Sequence, residues 1–297
     1  MNRTRAKSRP RIADETSIRH RLLAGVPVHE RRLVLGGQLT TLLEGGDGAA
    51  VVLLHGAGEF AANWQWVIPD LVATHRVVAP DLPGHGASDL GSGALDAERV
   101  VAWLDDLIER TCTSPPALVG HLLGGAIAAR FAIDKPDRLS RLVLVDSYGL
   151  GRFRPTPRYA LAMLAFAARP NERTQELLFR QCAFDLDGLR ERLGPRGELA
   201  EAYALDRARS PAMSAAMKHL MPQLGLSTIP PAKLGTIRVP TALIWGRHDR
   251  QVRLGVAETT SRRHGWPLHV IEGAADDPAV EQPAAFLAAL RGALGDT

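Results

Sequence analysis

The stretch Ala117-Leu118-Val119-Gly120-His121-Leu122-Leu123-Gly124-Gly125 decides the fold. Its first three residues are apolar without interruption, as in a strand covered on both faces. Gly120 ends the run, and a second glycine follows at Gly124. A chain that passes from strand to helix there turns sharply at an apex, here Leu122, and accepts only small residues two before and two after it. A helical pattern over Gly125–Ile133 follows.

The same strand-then-turn pattern recurs on either side of this stretch. Ala50–Leu54 runs into His55-Gly56, Val77–Ala79 into Pro80-Asp81, Leu142–Val145 into Asp146, and Ala242–Trp245 into Gly246. Ahead of them Arg32–Leu35 and Leu39–Leu42 flank Gly36-Gly37, a hairpin signal. Helical stretches such as Ala97–Arg110 lie between strands, and Pro283–Leu294 closes the chain as a helix. Strand and helix in alternation predict a mostly parallel sheet with helices on both faces and a ligand site beyond the carboxyl ends of the strands. Residues 154–231 break the alternation: they are rich in Ala, Leu and Arg and helical in period, a helical cap inserted into the core formed by 21–153 and 232–297. Each aromatic or sulfur side chain of the cap, Tyr159 and Phe166 among them, either lines an apolar pocket or packs the cap onto itself.

The 297 residues are 45% hydrophobic and 23% charged, the balance of one globular body. No apolar run reaches the length of a membrane span. The net charge of +4 owes much to Arg3, Arg5, Lys7, Arg9 and Arg11, which read as a solvated, flexible tail over residues 1–20 and not as a nucleic-acid or membrane arm. No apolar stretch follows to make a secretory signal. Cys112 and Cys182 form no metal-type or redox-type pair, and the expected setting is cytoplasmic.

Five motifs in order carry a resemblance. They are Leu53-Leu54-His55-Gly56; Asp81-Leu82-Pro83-Gly84-His85-Gly86; Val119-Gly120-His121-Leu122-Leu123-Gly124; Trp245-Gly246-Arg247-His248-Asp249; and Ile271-Glu272-Gly273-Ala274-Ala275-Asp276-Asp277-Pro278 with Glu281-Gln282-Pro283. From about Arg31 to Leu294 the chain resembles the α/β-hydrolase superfamily, in the lineage of esterases, epoxide hydrolases and carbon–carbon bond hydrolases. The resemblance implies the α/β-hydrolase fold, a doubly covered sheet with a cap. It also implies a nucleophile at the apex, but Leu122 is a hydrocarbon and attacks nothing, which closes the acyl-enzyme route. Aligned through Gly273, Pro278, Glu281 and Pro283, the family's histidine position holds Asp276. Asp249 keeps the acidic position that orients that histidine in relatives. The oxyanion hole implied by the family uses main-chain N–H groups, here of Ala57 and Leu123, and survives any change of side chain.

Two carboxyls in one desolvated pocket do not both ionise readily, so Asp276 near Asp249 suits proton shuttling better than ester hydrolysis. The function expected first is therefore lyase, isomerase or cyclase chemistry on an apolar carbonyl compound, with Asp276 as acid/base and Glu59, Trp64, Tyr159 and Phe166 as candidate pocket residues. The alternatives are a non-catalytic small-molecule-binding protein, and an ester or carbon–carbon bond hydrolase inactivated by engineering at Leu122 and Asp276. Glu59 and Asp277 read as surface carboxylates, and His55, His85, His121, His264 and His269 as structural. No clustered His/Asp/Glu set suggests a metal, no phosphate-binding loop is present, and no cofactor is implied. The partner expected is an apolar small molecule, with no nucleic acid and no membrane; the sequence fixes no oligomeric state.

Overall fold

A computed structural model describes residues 18–91 and 95–295, so the basic run Arg3–Arg11 lies outside the described residues. Eight strands form one sheet: β1 (His29–Leu35), β2 (Gln38–Gly45), β3 (Ala49–Leu54), β4 (His75–Pro80), β5 (Ala117–His121), β6 (Arg141–Val145), β7 (Thr241–Gly246) and β8 (Leu268–Ile271). Their order is β1-β2-β4-β3-β5-β6-β7-β8. β1 and β2 are antiparallel across a turn in which Gly36 and Gly37 both have positive φ, and β2 is antiparallel to β4; the other pairs are parallel. Every strand expected from the sequence is present, most longer by a residue or more.

The alternating residues of the parallel strands divide between two cores. Val52, Leu54, Leu118, Leu142 and Leu144 face one cluster, while Val51, Leu53, Val119, Val143 and Val145 face the other. That is the period of two in a strand buried on both faces. On the first face lie helices α1 (Ala97–Thr111) and α2 (Leu122–Asp134). α1 starts where Asp96 accepts a hydrogen bond from the Arg99 N–H at 2.8 Å, and it buries Val100, Trp103, Leu104 and Leu107 on one side. Each such leucine, fully buried, stabilises by about 1.5–3 kcal/mol.

Between β6 and β7 the described residues contain no strand. They contain α3 (Pro157–Ala168), α4 (Glu172–Cys182), α5 (Leu186–Ala208) and α6 (Pro211–Leu220), followed by two shorter helical segments. Within α5, Gly194 at φ 55° ahead of Pro195 divides two helical pieces at a kink. α7 (Leu254–His264) and α8 (Pro283–Leu294) complete the chain, α8 with the limits expected from the sequence. Phe286, Leu287 and Leu290 of α8 pack into the second core.

Residues 18–23 form a helical turn that belongs to the packed body and not to a tail. Arg19 is buried there, pairing with Asp81 at 3.0 Å and Glu30 at 2.6 Å. No helix among the described residues is long and apolar enough to cross a membrane.

Candidate active site

The elbow forms as the sequence demands. Leu122 has φ 45°, a left-handed conformation that non-glycine residues rarely hold and that costs of order 1–3 kcal/mol. Asp146, at the end of β6, has φ 41° and is the one other such non-glycine residue among the described residues. The turn is tight because its flanks are bare: a Cβ on Gly120 would lie 2.5 Å from the Gly124 carbonyl oxygen, and one on Gly124 2.4 Å from that of Leu54. The Leu122 side chain is only 4% exposed and packs in the first core cluster. The main-chain N–H groups of Leu123 and Ala57 have no hydrogen-bond acceptor among the described residues.

Beyond the ends of β6, β7 and β8 the fold gathers buried acids. Asp249 Oδ1 accepts the N–H groups of Gln251 at 2.6 Å and Val252 at 2.9 Å. The side chain of Gln251 reaches the other way: its Nε2 donates to Asp276 Oδ2 at 2.5 Å, while its Oε1 accepts the Tyr148 hydroxyl. Asp276 is further held by the tip of α4, where the Cys182 carbonyl accepts the Asp276 N–H at 3.2 Å and the thiol hydrogen-bonds the carboxyl. Asp146 accepts the Gly246 N–H at 3.0 Å on Oδ1. Asp146 Oδ2 and Asp249 Oδ2 are buried without a donor, and the two carboxyls hydrogen-bond each other once one holds a proton.

This crowding decides protonation. Burial pushes Asp249 up to about 7, against the opposing pull of the Val252 and Gln251 N–H groups. Burial, then repulsion from Asp249, holds Asp276 well above the ordinary carboxylate range, and the same pair of causes raises Asp146. Asp249 and Asp276 are both buried, and Gln251 links them.

Asp277 and Glu59 are not the surface carboxylates expected from the sequence. Both turn inward around His121, whose Nδ1 lies 3.1 Å from Glu59 Oε2 and whose Nε2 donates to the Asp276 carbonyl oxygen at 2.5 Å. Burial pulls the His121 imidazole down, but the Glu59 carboxylate more than offsets it and the ring is held well above its ordinary value. Burial pushes Asp277 up to about 7, against the opposing pull of His121. Glu59, His121 and Asp277 each bring one ligand atom within 4.8 Å of the others, the set among the described residues that has the donors for a divalent cation. No such cluster is visible in the sequence because its members come from three separate places in the chain: the loop after β3, the end of β5 and the segment after β8. A proton on Nδ1 satisfies the same arrangement.

The remaining candidates separate. Tyr159 is buried beside Cys182 and Tyr148, and burial raises its hydroxyl well above its usual value. Trp64 packs edge-on to His121 and against Phe286, part of the second core and not a pocket wall. Phe166 is half-buried and has no ring contact among the described residues. His55 accepts the Leu82 N–H at 2.9 Å, His85 bonds the Pro83 carbonyl, and His264 stacks on Trp266, all structural. Sequence reasoning missed Asp146, Tyr148, Cys182 and Gln251. Of these, Asp146 carried a signal: it directly follows a buried parallel strand, at the carboxyl end where ligands bind in such sheets.

The sequence profile of the Alpha/beta hydrolase family matches residues 51–290, and the chain belongs to that family. Within it, a 2-hydroxy-6-oxo-6-phenylhexa-2,4-dienoate hydrolase from Comamonas testosteroni is 32% identical over 232 residues, covering 71% of this chain and 75% of that protein. A hydrolase of the same description from Burkholderia cepacia is 30% identical over 226 residues, covering 72% and 76%. The solved structure of such a hydrolase from Rhodococcus aligns with a TM-score of 0.78 at 27% identity, over 90% of this chain and 99% of that one.

Proposed function

We propose that this α/β hydrolase works without a nucleophilic serine, moving protons on an apolar carbonyl-containing small molecule by lyase, isomerase or cyclase chemistry. The observation that carries the reading is the pair Asp249 and Asp276, buried, linked through Gln251, and both holding protons far above the ordinary carboxylate range. A carboxyl whose proton is held more tightly than usual can serve as an acid where ordinary carboxylates are already ionised, and once deprotonated it is the stronger base. In this reading Asp276 gives or takes the proton, Asp249 and Asp146 keep it protonated, and the free N–H groups of Leu123 and Ala57 hold the negative charge that grows on the substrate oxygen. The helices of 154–231 act as the cap that excludes water.

The relatives' compounds fit this chemistry without hydrolysis. A 2-hydroxy-2,4-dienoate is an enol, and its conversion to the ketone takes one proton from oxygen and delivers one to carbon, with no water added. The test is to incubate 2-hydroxy-6-oxo-6-phenylhexa-2,4-dienoate with the protein in D2O. The expected result is loss of the enol absorbance with one deuterium on carbon and no gain of water, slowed about 10²–10⁴-fold by Asp276→Asn. Cleavage of the carbon–carbon bond at a rate that Asp276→Asn leaves unchanged would overturn the reading.

A second reading, a non-catalytic binding protein, is favoured by how little is left to do chemistry: Leu122 cannot attack, and Asp276 is already engaged by Gln251 and Cys182. It is distinguished by saturable binding of the same compound with no deuterium incorporated.

A further inference from the structure

Helix α3 is apolar on the side that faces away from the body. Tyr159 and Ala162 are buried, whereas Leu161 is 70% and Leu164 61% exposed, and Ala165 and Ala168 continue their face at helical spacing. From Tyr159 to Ala168 no residue is charged. A helix apolar all round belongs in a core or against another apolar phase, not at a water surface. On the next helix Leu177, 48% exposed, stands on the outward face beside Arg173.

The charges along α3 and at its two ends are basic, and the first acid after it, Glu172, opens the next helix. Arg152, Arg154 and Arg158 precede it, Arg169 and Arg173 follow it, all five are exposed, and none has an acidic partner among the described residues. Between Arg152 and Asn171 there is no acidic residue at all. A second copy of the chain is a poor occupant, because pairing two α3 helices about a two-fold axis sets Arg158 of each copy opposite Arg169 of the other. We infer that α3 lies on an anionic lipid surface, with Leu161 and Leu164 in the acyl boundary and the arginines at the headgroups. The sequence reading set membrane contact aside for want of a spanning run and because the tail reads as solvated, and neither criterion reports a helix lying in the surface plane. The inference is independent of the acid/base chemistry, since it is read without substrate.

The test is sedimentation of the full chain with vesicles of phosphatidylcholine alone or with about 30 mol% phosphatidylglycerol, from about 0.05 to 0.5 M salt. Binding to the anionic vesicles that fades with salt is expected. Leu161→Asp with Leu164→Asp should weaken it at least about tenfold, and Arg158→Gln with Arg169→Gln about fivefold per charge removed, whereas Leu226→Asp, at an exposed leucine elsewhere, leaves it unchanged. Thermal melts confirm that the variants fold. Absence of binding at low salt overturns the inference. So does binding that survives the double leucine variant, which would place the attraction elsewhere on the chain. A dimer seen by light scattering and dissolved by that variant, with vesicles left unbound, assigns the face to a second copy instead.

Discussion

Gln251 joins the two central acids: its main-chain N–H donates to Asp249 at 2.6 Å and its side-chain amide donates to Asp276 at 2.5 Å. The glutamine cannot swing, since Tyr148 donates to its other amide atom. Both carboxyls are thereby fixed in a place where ionising either one is costly.

Stability should therefore fall as pH rises. A carboxyl raised from 3.8 to about 7 on folding favours the folded state fully below about pH 4 and loses that contribution as pH climbs through 7. The loss runs at up to about 1.4 kcal/mol per pH unit for each proton involved. Asp249→Asn keeps an oxygen for the Gln251 and Val252 N–H groups and offers its amide to Asp146. Urea midpoints between pH 5 and 8 should fall less steeply for Asp249→Asn than for the parent, with the variant the more stable at pH 8. Parallel slopes would mean that Asp249 is ionised throughout.

At the apex two effects oppose each other. Leu122→Gly relieves the left-handed strain, worth about 1–3 kcal/mol, but deletes a buried leucine side chain, which costs about 2.7–5 kcal/mol. The cavity wins, and a net loss of about 2 kcal/mol is expected from denaturant unfolding. A stabilised glycine variant would show that strain at this turn exceeds the packing of Leu122.

Two glycine-to-alanine changes should have opposite signs. At Gly124 the new Cβ meets main-chain oxygens of Leu54 at 2.4 Å and His55 at 2.7 Å, neither of which can give way, so Gly124→Ala should lower the melting temperature severely. At exposed Gly292 in α8 the Cβ meets nothing within 4 Å, and Gly292→Ala should stabilise by about 0.5–1 kcal/mol. Equal effects would refute the claim that the elbow is closed by main-chain contact.

A fluorophosphonate probe tests the register of the site. The parent should remain unlabelled, and Leu122→Ser combined with Asp276→His should label, because that serine would stand at the strained apex beside the free N–H of Leu123. Labelling of the parent at another serine would locate a nucleophile outside the elbow. A silent double variant would mean that Asp276 does not stand where a histidine can serve that serine.

The fold was legible because its signals are local. Unbroken apolar strands, the glycines two before and two after Leu122, and the Gly36-Gly37 turn each state their own geometry. Leu122, Asp249 and Asp276 were legible for the same reason, each sitting in a short motif of fixed spacing. What surrounds them was not. Gln251 and Cys182 reach Asp276 from 25 and 94 positions away, and their roles depend on where the α4 tip comes to rest on the sheet. Glu59 and Asp277 looked like solvated carboxylates because their cation, His121, comes from the end of a separate strand, β5. The outward apolar side of α3 was invisible until burial showed that both of its leucines, Leu161 and Leu164, face outward.

The hydrogen bond from the Asp276 N–H to the Cys182 carbonyl ties the packing of the α4 end to the acidity of Asp276. Arg250 grips the same turn through the carbonyls of Gln181 and Ala183, so the end of α4 is fastened both to the acid and to the loop that carries Asp249. Loosening this corner would strip Asp276 of a neighbour and let water in, and water restores ordinary carboxylate behaviour. The dryness that holds the proton on Asp276 is thus set partly by a helix end that lies 94 positions away in the chain.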